Sequence, residues 1–277
     1  MATPIGNLAD ISLRALHVLK LADCIACEDT RHTQTLLRAY GIDKSSQHLL
    51  ALHQHNEVQG AQAVIERLRQ GQRVAYASDA GTPAISDPGA RLVAAVRGAS
   101  LLVVALPGAS SVTAALSVAG IGADQAENGQ FVFVGFLSSK ATLRASELAA
   151  LAREPRAVVL LEAPHRIEAL AQALAALGER LVSVSRELTK QFEETATLHA
   201  SAVHTWLQAQ PSRSRGEFVI VLHPVNVMND GADEQRVLKL LLAELPLKTA
   251  VKLAAEITGG SRNTLYESAL ALRAMAP

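Results

Sequence analysis

Two kinds of apolar pattern alternate along this chain. Short runs of apolar, largely β-branched residues are separated by longer stretches whose apolar positions recur every three or four residues. The short runs are Cys24–Glu28, His48–His53, Arg73–Ser78, Leu101–Leu106, Phe131–Leu137, Ala157–Ala163, Arg180–Arg186 and Glu217–His223. Each has strand length. Several are apolar at successive positions, as strands buried on both faces of an α/β sheet are. Leu13, Leu16 and Leu19 lie three apart behind Asp10, the expected N-cap, and predict a helix. Val64 and Leu68 run into Gly71, which reads as a helix with its C-terminal stop. Val93–Val96, Val112–Leu116 and Ile167–Leu174 continue the pattern. Such alternation predicts α/β layering.

Two regions interrupt it. Gly120–Gln130 (GIGADQAENGQ) holds three glycines and no periodicity, and reads as the crossing between two α/β domains, 1–112 and 113–224. Pro224–Asp233 (PVNVMNDGAD) reads as a second boundary. The remainder, 234–277, has no strand pattern. Leu238, Leu241, Leu242 and Leu245 form one helical stripe; Lys248–Ile257 and Asn263–Leu272 form two more, parted by Thr258-Gly259-Gly260-Ser261. Helix, glycine turn, helix is the outline of a helix-turn-helix. Lys239, Lys248, Lys252, Arg262 and Arg273 decorate it. The competing reading is a helical appendage that packs on the body or on a second subunit.

Composition narrows the partners. The 277 residues are 49% hydrophobic, enough for a sizeable core, and carry a formal net charge of zero. Any nucleic-acid contact must therefore come from a local basic patch rather than an overall charge. Cys24 and Cys27 are the two cysteines, which fits a reducing cytoplasm and no disulfide framework. Every apolar run is broken by a charge, Gly or Pro before it reaches spanning length, so no membrane segment is expected. The start, MATPIGNLADIS, lacks the basic and apolar regions of a signal peptide.

Four turns at the expected C-terminal ends of strands, where open α/β sheets bind ligands, could carry chemistry. Ala2–Leu8 (ATPIGNL) lets backbone approach a ligand closely, or is an ordinary turn before a helix. Ser78–Gly89 (SDAGTPAISDPG) is stiff and rich in amides, carbonyls and carboxylates. It matches neither a Walker A loop nor GxGxxG. That favours a ligand without phosphate, such as an adenosyl sulfonium. Leu106–Ala115 (LPGASSVTAA) offers Ser110 or Ser111 as an N-cap; two hydroxyls beside Gly108 suggest ligand contact as well. Glu162–Ile167 (EAPHRI) gathers Glu162, His165 and Arg166 around Pro164, which suits a first helical turn. Further polar clusters follow other strands: Glu28-Asp29-Thr30-Arg31-His32; His53, His55, Asn56 and Glu57; and Arg186, Glu187 and Lys190. They suit a polyanionic substrate, and each also reads as salt bridges at strand ends. Cys24 and Cys27 have zinc-knuckle spacing, with His53 and His55 to complete a set, but residues i and i+3 of a strand point to opposite faces. No metal is expected.

These turns, in this order and wording, resemble the tetrapyrrole methylase superfamily, and within it the ribosomal RNA small-subunit methyltransferase I family. The matching segments are ATPIGNLADIS, ACEDTRHTQTLL, LHQHNE, ASDAGTPAISDPG, LPGASSVTAALSVAGI, FVFVGFL, LLEAPHRI, SRELTKQFEE and GEFVIVL, reaching through Leu222. The C-terminal helices resemble the helix-turn-helix appendage of the same branch. The resemblance implies two α/β domains with S-adenosylmethionine in the cleft between them, usually in a homodimer. It implies 2′-O-methylation of a cytidine ribose in the decoding region of small-subunit (16S) rRNA, free or in the assembled 30S subunit. Carried over by motif, Pro4, Asp79, Thr82, Ile85, Ser110, Ser111 and Leu137 are expected to line the cofactor pocket. Arg31, His32 and Asn56, with Glu28 and His53, are expected nearer the RNA. Members of the branch usually carry a strand ahead of the ATPIGN turn, whereas here Met1 directly precedes Ala2-Thr3-Pro4. The first sheet is therefore expected to lack a strand and the pocket to lose support on one side.

A ribose hydroxyl is a poor nucleophile at neutral pH, so a proton acceptor helps. Glu28, His53, Glu187 and Lys190 are the candidates. Arg31, Arg166 and Arg186 are expected to hold phosphates. Two alternatives share the pattern: a methylase of a tetrapyrrole precursor, which should lack the basic helices and the EDTRH cluster, and a non-catalytic RNA-binding assembly factor, which should bind no cofactor.

Overall fold

The computed structural model describes residues 1–53, 56–85, 89–121, 129–225 and 232–274. The sequence-flagged residues His55, Asp87 and Pro88, most of the 120–130 loop and of the 224–233 boundary, and the side chain of Arg273 lie outside the described set.

The first part of the chain runs α1 (Leu13–Leu21), β1 (Cys24–Cys27), α2 (Thr30–Ala39), β2 (Leu49–Ala51), α3 (Glu57–Arg69), β3 (Val74–Ala77), α4 (Gly89–Gly98) and α5 (Ser111–Val118). Its strands form a parallel three-stranded sheet in the order β2-β1-β3. Period-two alternation sends Ile25, Ala75 and Ala77 to one face, against Leu19 of α1 and Leu37 of α2. Ala26 goes to the other, against Val64 and Ile65 of α3 and Leu92 and Val96 of α4. The cap of α1 is Ser12, not Asp10: its hydroxyl accepts from the Ala15 amide at 3.1 Å, while Asp10 sits in a preceding single turn of 3₁₀ helix. The helix thus starts two residues later than expected, with Leu13 exposed in its first turn and Leu19 the buried member of the leucine stripe.

The second part runs β4 (Phe131–Phe136), α6 (Ala141–Leu151), β5 (Ala157–Glu162), α7 (Ile167–Leu174), β6 (Leu181–Arg186), β7 (Glu194–His199), α8 (Val203–Gln208) and β8 (Phe218–Leu222). Its five strands are ordered β4-β5-β8-β6-β7, parallel between β4 and β5 and antiparallel elsewhere. Val158, Leu160, Val182, Val184, Ile220 and Leu222 face α6, α7 and α8. Val159, Val219 and Val221 face Val112 and Ala115 of α5. A sheet covered on both faces explains why Ala157–Leu161 and Phe218–Leu222 read as unbroken apolar runs. The sequence pattern missed β7 because it is an edge strand, half-exposed, whose ETATLH carries polar residues on both faces.

The expected strand Leu101–Leu106 is not one: among the described residues it joins no ladder. Leu102 is 84% exposed and Val104 57%. The Met1 ammonium donates to Tyr76 O at 2.7 Å, the Ala2 amide to Leu106 O at 3.3 Å, and Thr3 exchanges backbone bonds with Gly81. Met1–Thr3 thus sits between β3 and the end of the 101–106 segment, which it holds away from the sheet.

Residues Met1–Pro224 and Val225–Pro277 form separate compact units. The second comprises α9 (Ala232–Glu244), α10 (Leu247–Thr258) and α11 (Arg262–Ala274), packed around Leu238, Val251, Ala254, Leu265 and Ala269. Gly259, at φ +72°, ends α10 in the left-handed conformation that permits the tight turn into α11. Lys239, Lys248, Lys252 and Arg262 are exposed. Among the described residues no helix is long and apolar enough to cross a membrane.

Candidate active site

The ends of β1, β3 and β5, the start of β8 and the N-terminus of α5 enclose a cleft of about 420 Å³. Its apolar walls include Ile5, Val112, Phe136, Leu161 and Phe218. Its polar groups are Thr82, Ser110, Ser111 and four acids, Glu28, Asp79, Glu162 and Glu217; among the described residues no Lys, Arg or His lines it. That imbalance selects ligands. At 4 Å and an effective dielectric of ~20, a cation beside one carboxylate gains about 4 kcal/mol and a phosphate loses about as much.

Glu28 and Asp79 are locked together by backbone. The Asp79 amide donates to Glu28 Oε1 and the Asp29 amide to Asp79 Oδ1, both at 3.2 Å. Thr82 donates to Ala109 O at 3.0 Å, tying the SDAGTP loop to the LPGASS loop. Ser110 occupies the N-cap position of α5, yet its side chain makes no capping bond, so capping does not account for it. Glu162 is 3% exposed: Oε1 accepts from the Ala163 amide and pairs with Arg166 Nε at 3.0 Å, while Oε2 is buried with no hydrogen-bond partner among the described residues. A buried, unanswered carboxylate oxygen beside a ligand-sized cleft is where a bound donor is needed.

The structure therefore brings Glu28, Asp79, Thr82, Ile85, Ser110 and Ser111 of the expected set to one cleft. Others stand elsewhere. Pro4 lines a neighbouring cavity with His32. Leu137 is 3% exposed, its side chain in the core of the second sheet. Gly108 packs the chain start: a Cβ there would lie 2.9 Å from Ala2 Cβ. His53 is exposed, outside the cleft. Asn56 is used as a turn clamp, accepting from the His53 amide and donating to Ala51 O.

Three expectations need correction. Arg186 does not face a phosphate: it is 6% exposed and donates to the carbonyls of Arg215, Phe192 and Ser212, with Glu194 3.6 Å away. Arg166 is spent on Glu162 and on Leu137 O, joining the ends of β5 and β4. Lys190 is held as a cation between two acids. Burial pushes its pKa down, but Glu187 and Glu217, at 2.9 and 3.0 Å, outweigh that and raise it. For Glu187, burial pushes upward while Lys190 and the Glu217 amide hold the carboxyl below its ordinary range, which makes it a weaker base. Lys190 instead packs on the ATPIGN turn, where a Cβ on Gly6 would collide with its Cγ. Arg31 is different: its side chain is 90% exposed and, among the described residues, is held by Asp29 alone, so it stays available to a phosphate.

Sequence reasoning gathered Glu162 at one of the four ligand turns without giving it a role, and missed Glu217, which reads as a strand-end charge in GEFVIVL. Cys24 and Cys27 are buried thiols, the second pushed up to about 11 by burial, and so are inert at neutral pH.

A family model for Tetrapyrrole (Corrin/Porphyrin) Methylases matches residues 2–203, and one for the RsmI C-terminal HTH domain matches residues 229–273. Ribosomal RNA small subunit methyltransferase I of Pseudomonas aeruginosa is 46% identical over 276 residues, covering 98% of this chain and 95% of the relative. This chain belongs to the ribosomal RNA small subunit methyltransferase I family. It is an enzyme, a methyltransferase. The same-named protein of Escherichia coli O157:H7 is also 46% identical, over 97% of this chain and 92% of its own length. Among solved structures, a cobalt precorrin-4 methyltransferase superposes with a TM-score of 0.57 at 15% identity, over 80% of this chain and 92% of that one. Diphthine synthase gives 0.56 at 13%, over 80% and 88%. At those identities the likeness is one of fold. A uroporphyrin-III C-methyltransferase from Thermus thermophilus with a TM-score of 0.51 was solved complexed with S-adenyl homocysteine (15% identity, 80% of this chain, 94% of that one).

Proposed function

We propose that this methyltransferase uses S-adenosylmethionine to methylate the 2′-hydroxyl of a cytidine ribose in the decoding region of small-subunit rRNA, acting in the cytoplasm as a homodimer on RNA or on the assembled 30S subunit. The observation that carries the cofactor is the cleft itself: four carboxylates, two serine hydroxyls and no cation among the described lining, a set suited to a sulfonium and an ammonium and hostile to phosphate. When bound, the cofactor supplies a methyl group on a positively charged sulfur, which keeps the electron pair of the breaking carbon–sulfur bond. Ile5, Val112 and Phe218 exclude water around it. Glu162 Oε2 and the serine hydroxyls take its donors and fix its orientation, and alignment of this kind supplies much of the rate. The ribose proton goes to the Glu28–Asp79 carboxylates; Glu28 is the member of the sequence-expected set of acceptors that lines the cleft. Arg31 takes a phosphate outside it, and the exposed lysines of the C-terminal unit add sequence-independent RNA contacts.

Calorimetric titration with S-adenosylmethionine or its demethylated product, followed by methyl transfer to 30S subunits lacking the modification, tests this. One site per chain and a label mapped to a cytidine ribose are expected. No binding, or a label on a base, sinks the reading.

A further inference from the structure

A second cavity, of about 360 Å³, abuts the cleft. Four residues, Ile5, Asp79, Ala80 and Glu217, line both. Among the described residues, the acids of the second cavity lie on this shared wall, and its far side includes Pro4, Leu8, His32, Thr35 and Ala39. The two spaces thus differ in chemistry: one is acidic, the other largely apolar, with one imidazole and one hydroxyl away from the common wall. We propose that the second cavity receives the base of the acceptor nucleotide, unstacked from its RNA, and that its ribose hydroxyl lies at the shared wall. This rests on the functional reading above and adds where the acceptor binds.

Three observations carry it. Transfer between two bound molecules needs adjoining sites that meet at the reacting groups, and Asp79 stands at that meeting point, its amide bonded to Glu28. A neutral, flat base suits apolar walls with an imidazole to stack on and few polar groups to pair with its edge, which is how single-stranded RNA bases are held. A base whose sugar must react inside an enzyme cleft has to leave its stack. Arg31 adjoins His32 on α2, exposed and, among the described residues, paired with Asp29 alone, and so can hold the flanking phosphate at the mouth.

The test fills or strips the far wall. Ala39 and His32 are exposed, so Ala39→Trp and His32→Ala should leave folding intact. For each variant, three quantities are measured: kcat/KM for methyl transfer to unmodified 30S subunits, the affinity of the cofactor-free chain for those subunits, and the calorimetric Kd for S-adenosylhomocysteine. Expected is a fall of roughly tenfold or more in the first two, the scale of losing one stacked base, with the third unchanged within about twofold. Unchanged subunit affinity and kcat/KM in both variants overturns the assignment. So does a matching loss of S-adenosylhomocysteine affinity, which would give the cavity to the cofactor. A wild-type chain that binds S-adenosylhomocysteine but methylates no subunit removes the functional reading, and this assignment with it.

Discussion

The two sheets of the first unit answer the same packing problem differently. The five-stranded sheet pairs every strand and covers both faces, so Val158, Leu160, Val182, Val184 and Ile220 are fully buried. The three-stranded sheet leaves a neighbouring apolar segment, Leu101–Leu106, outside any ladder, with Leu102 and Val104 bare. Both halves contribute to the cleft: β1, β3 and the Gly81 turn from the first, β5 and β8 from the second. The second sheet is thus a rigid wall, while the first depends on what stands between β3 and residue 106.

The largest expected effect breaks the rigid wall. Ile220→Ala, at the centre of the five-stranded sheet, should cost about 2–5 kcal/mol in chemical denaturation. Leu102→Ala should stay within about 0.5 kcal/mol, because it removes a side chain already in water. Equal costs would mean that the 101–106 segment is packed after all.

Next is Arg186→Ala. Removing a buried guanidinium that serves three carbonyls and Glu194 should cost about 3 kcal/mol or more, with RNA affinity of the folded fraction unchanged. Arg31→Ala should do the reverse: no change in denaturation midpoint, and a salt dependence of RNA binding shallower by about one unit of slope. A drop in RNA affinity for Arg186→Ala at full folding would restore it as a phosphate ligand.

These contrasts also explain what the sequence disclosed. Buried strands announce themselves, so β1, β3, β5, β6 and β8 were legible, as were the covering helices α1, α3, α4, α5 and α7, while α2, α6 and α8 were not. Periodicity reports what a segment prefers, not whether a partner is there; hence 101–106 reads as a strand and is none. Edge strand β7 fails the other way, since half-exposure erases its apolar signal. The motif resemblance grouped Asp79, Thr82 and Ser110, and the structure puts them in one lining. The arginines were not legible. The same EAPHRI and SRELTK wording fits a phosphate clamp and a buried carbonyl clamp, and only burial separates them. The role of Glu162 was hidden by its neighbour: a Glu four residues before an Arg looks like a surface pair, but this one is buried, with an oxygen left over.

The smallest effect is a pH dependence that belongs to the well-packed half. His223 follows β8, its Nε2 2.8 Å from the Ser183 hydroxyl. Burial, helped by the charge of Arg180, holds its pKa below the ordinary value of 6.5. The unfolded chain therefore takes up a proton at a higher pH than the folded one. Stability from keeping this ring neutral is complete above about pH 6.5 and is lost as pH falls from there to the folded-state pKa. Comparing the denaturation midpoints of wild type and His223→Gln at pH 8 and pH 5.5 isolates it: the wild type should lose more stability on acidification than the variant. Parallel losses would mean that the neutral ring of His223 does not carry the acid sensitivity in this range. Asp23 and Asp29, whose arginine partners hold them well below the usual carboxylate range, lose their contribution only at lower pH, below the window compared.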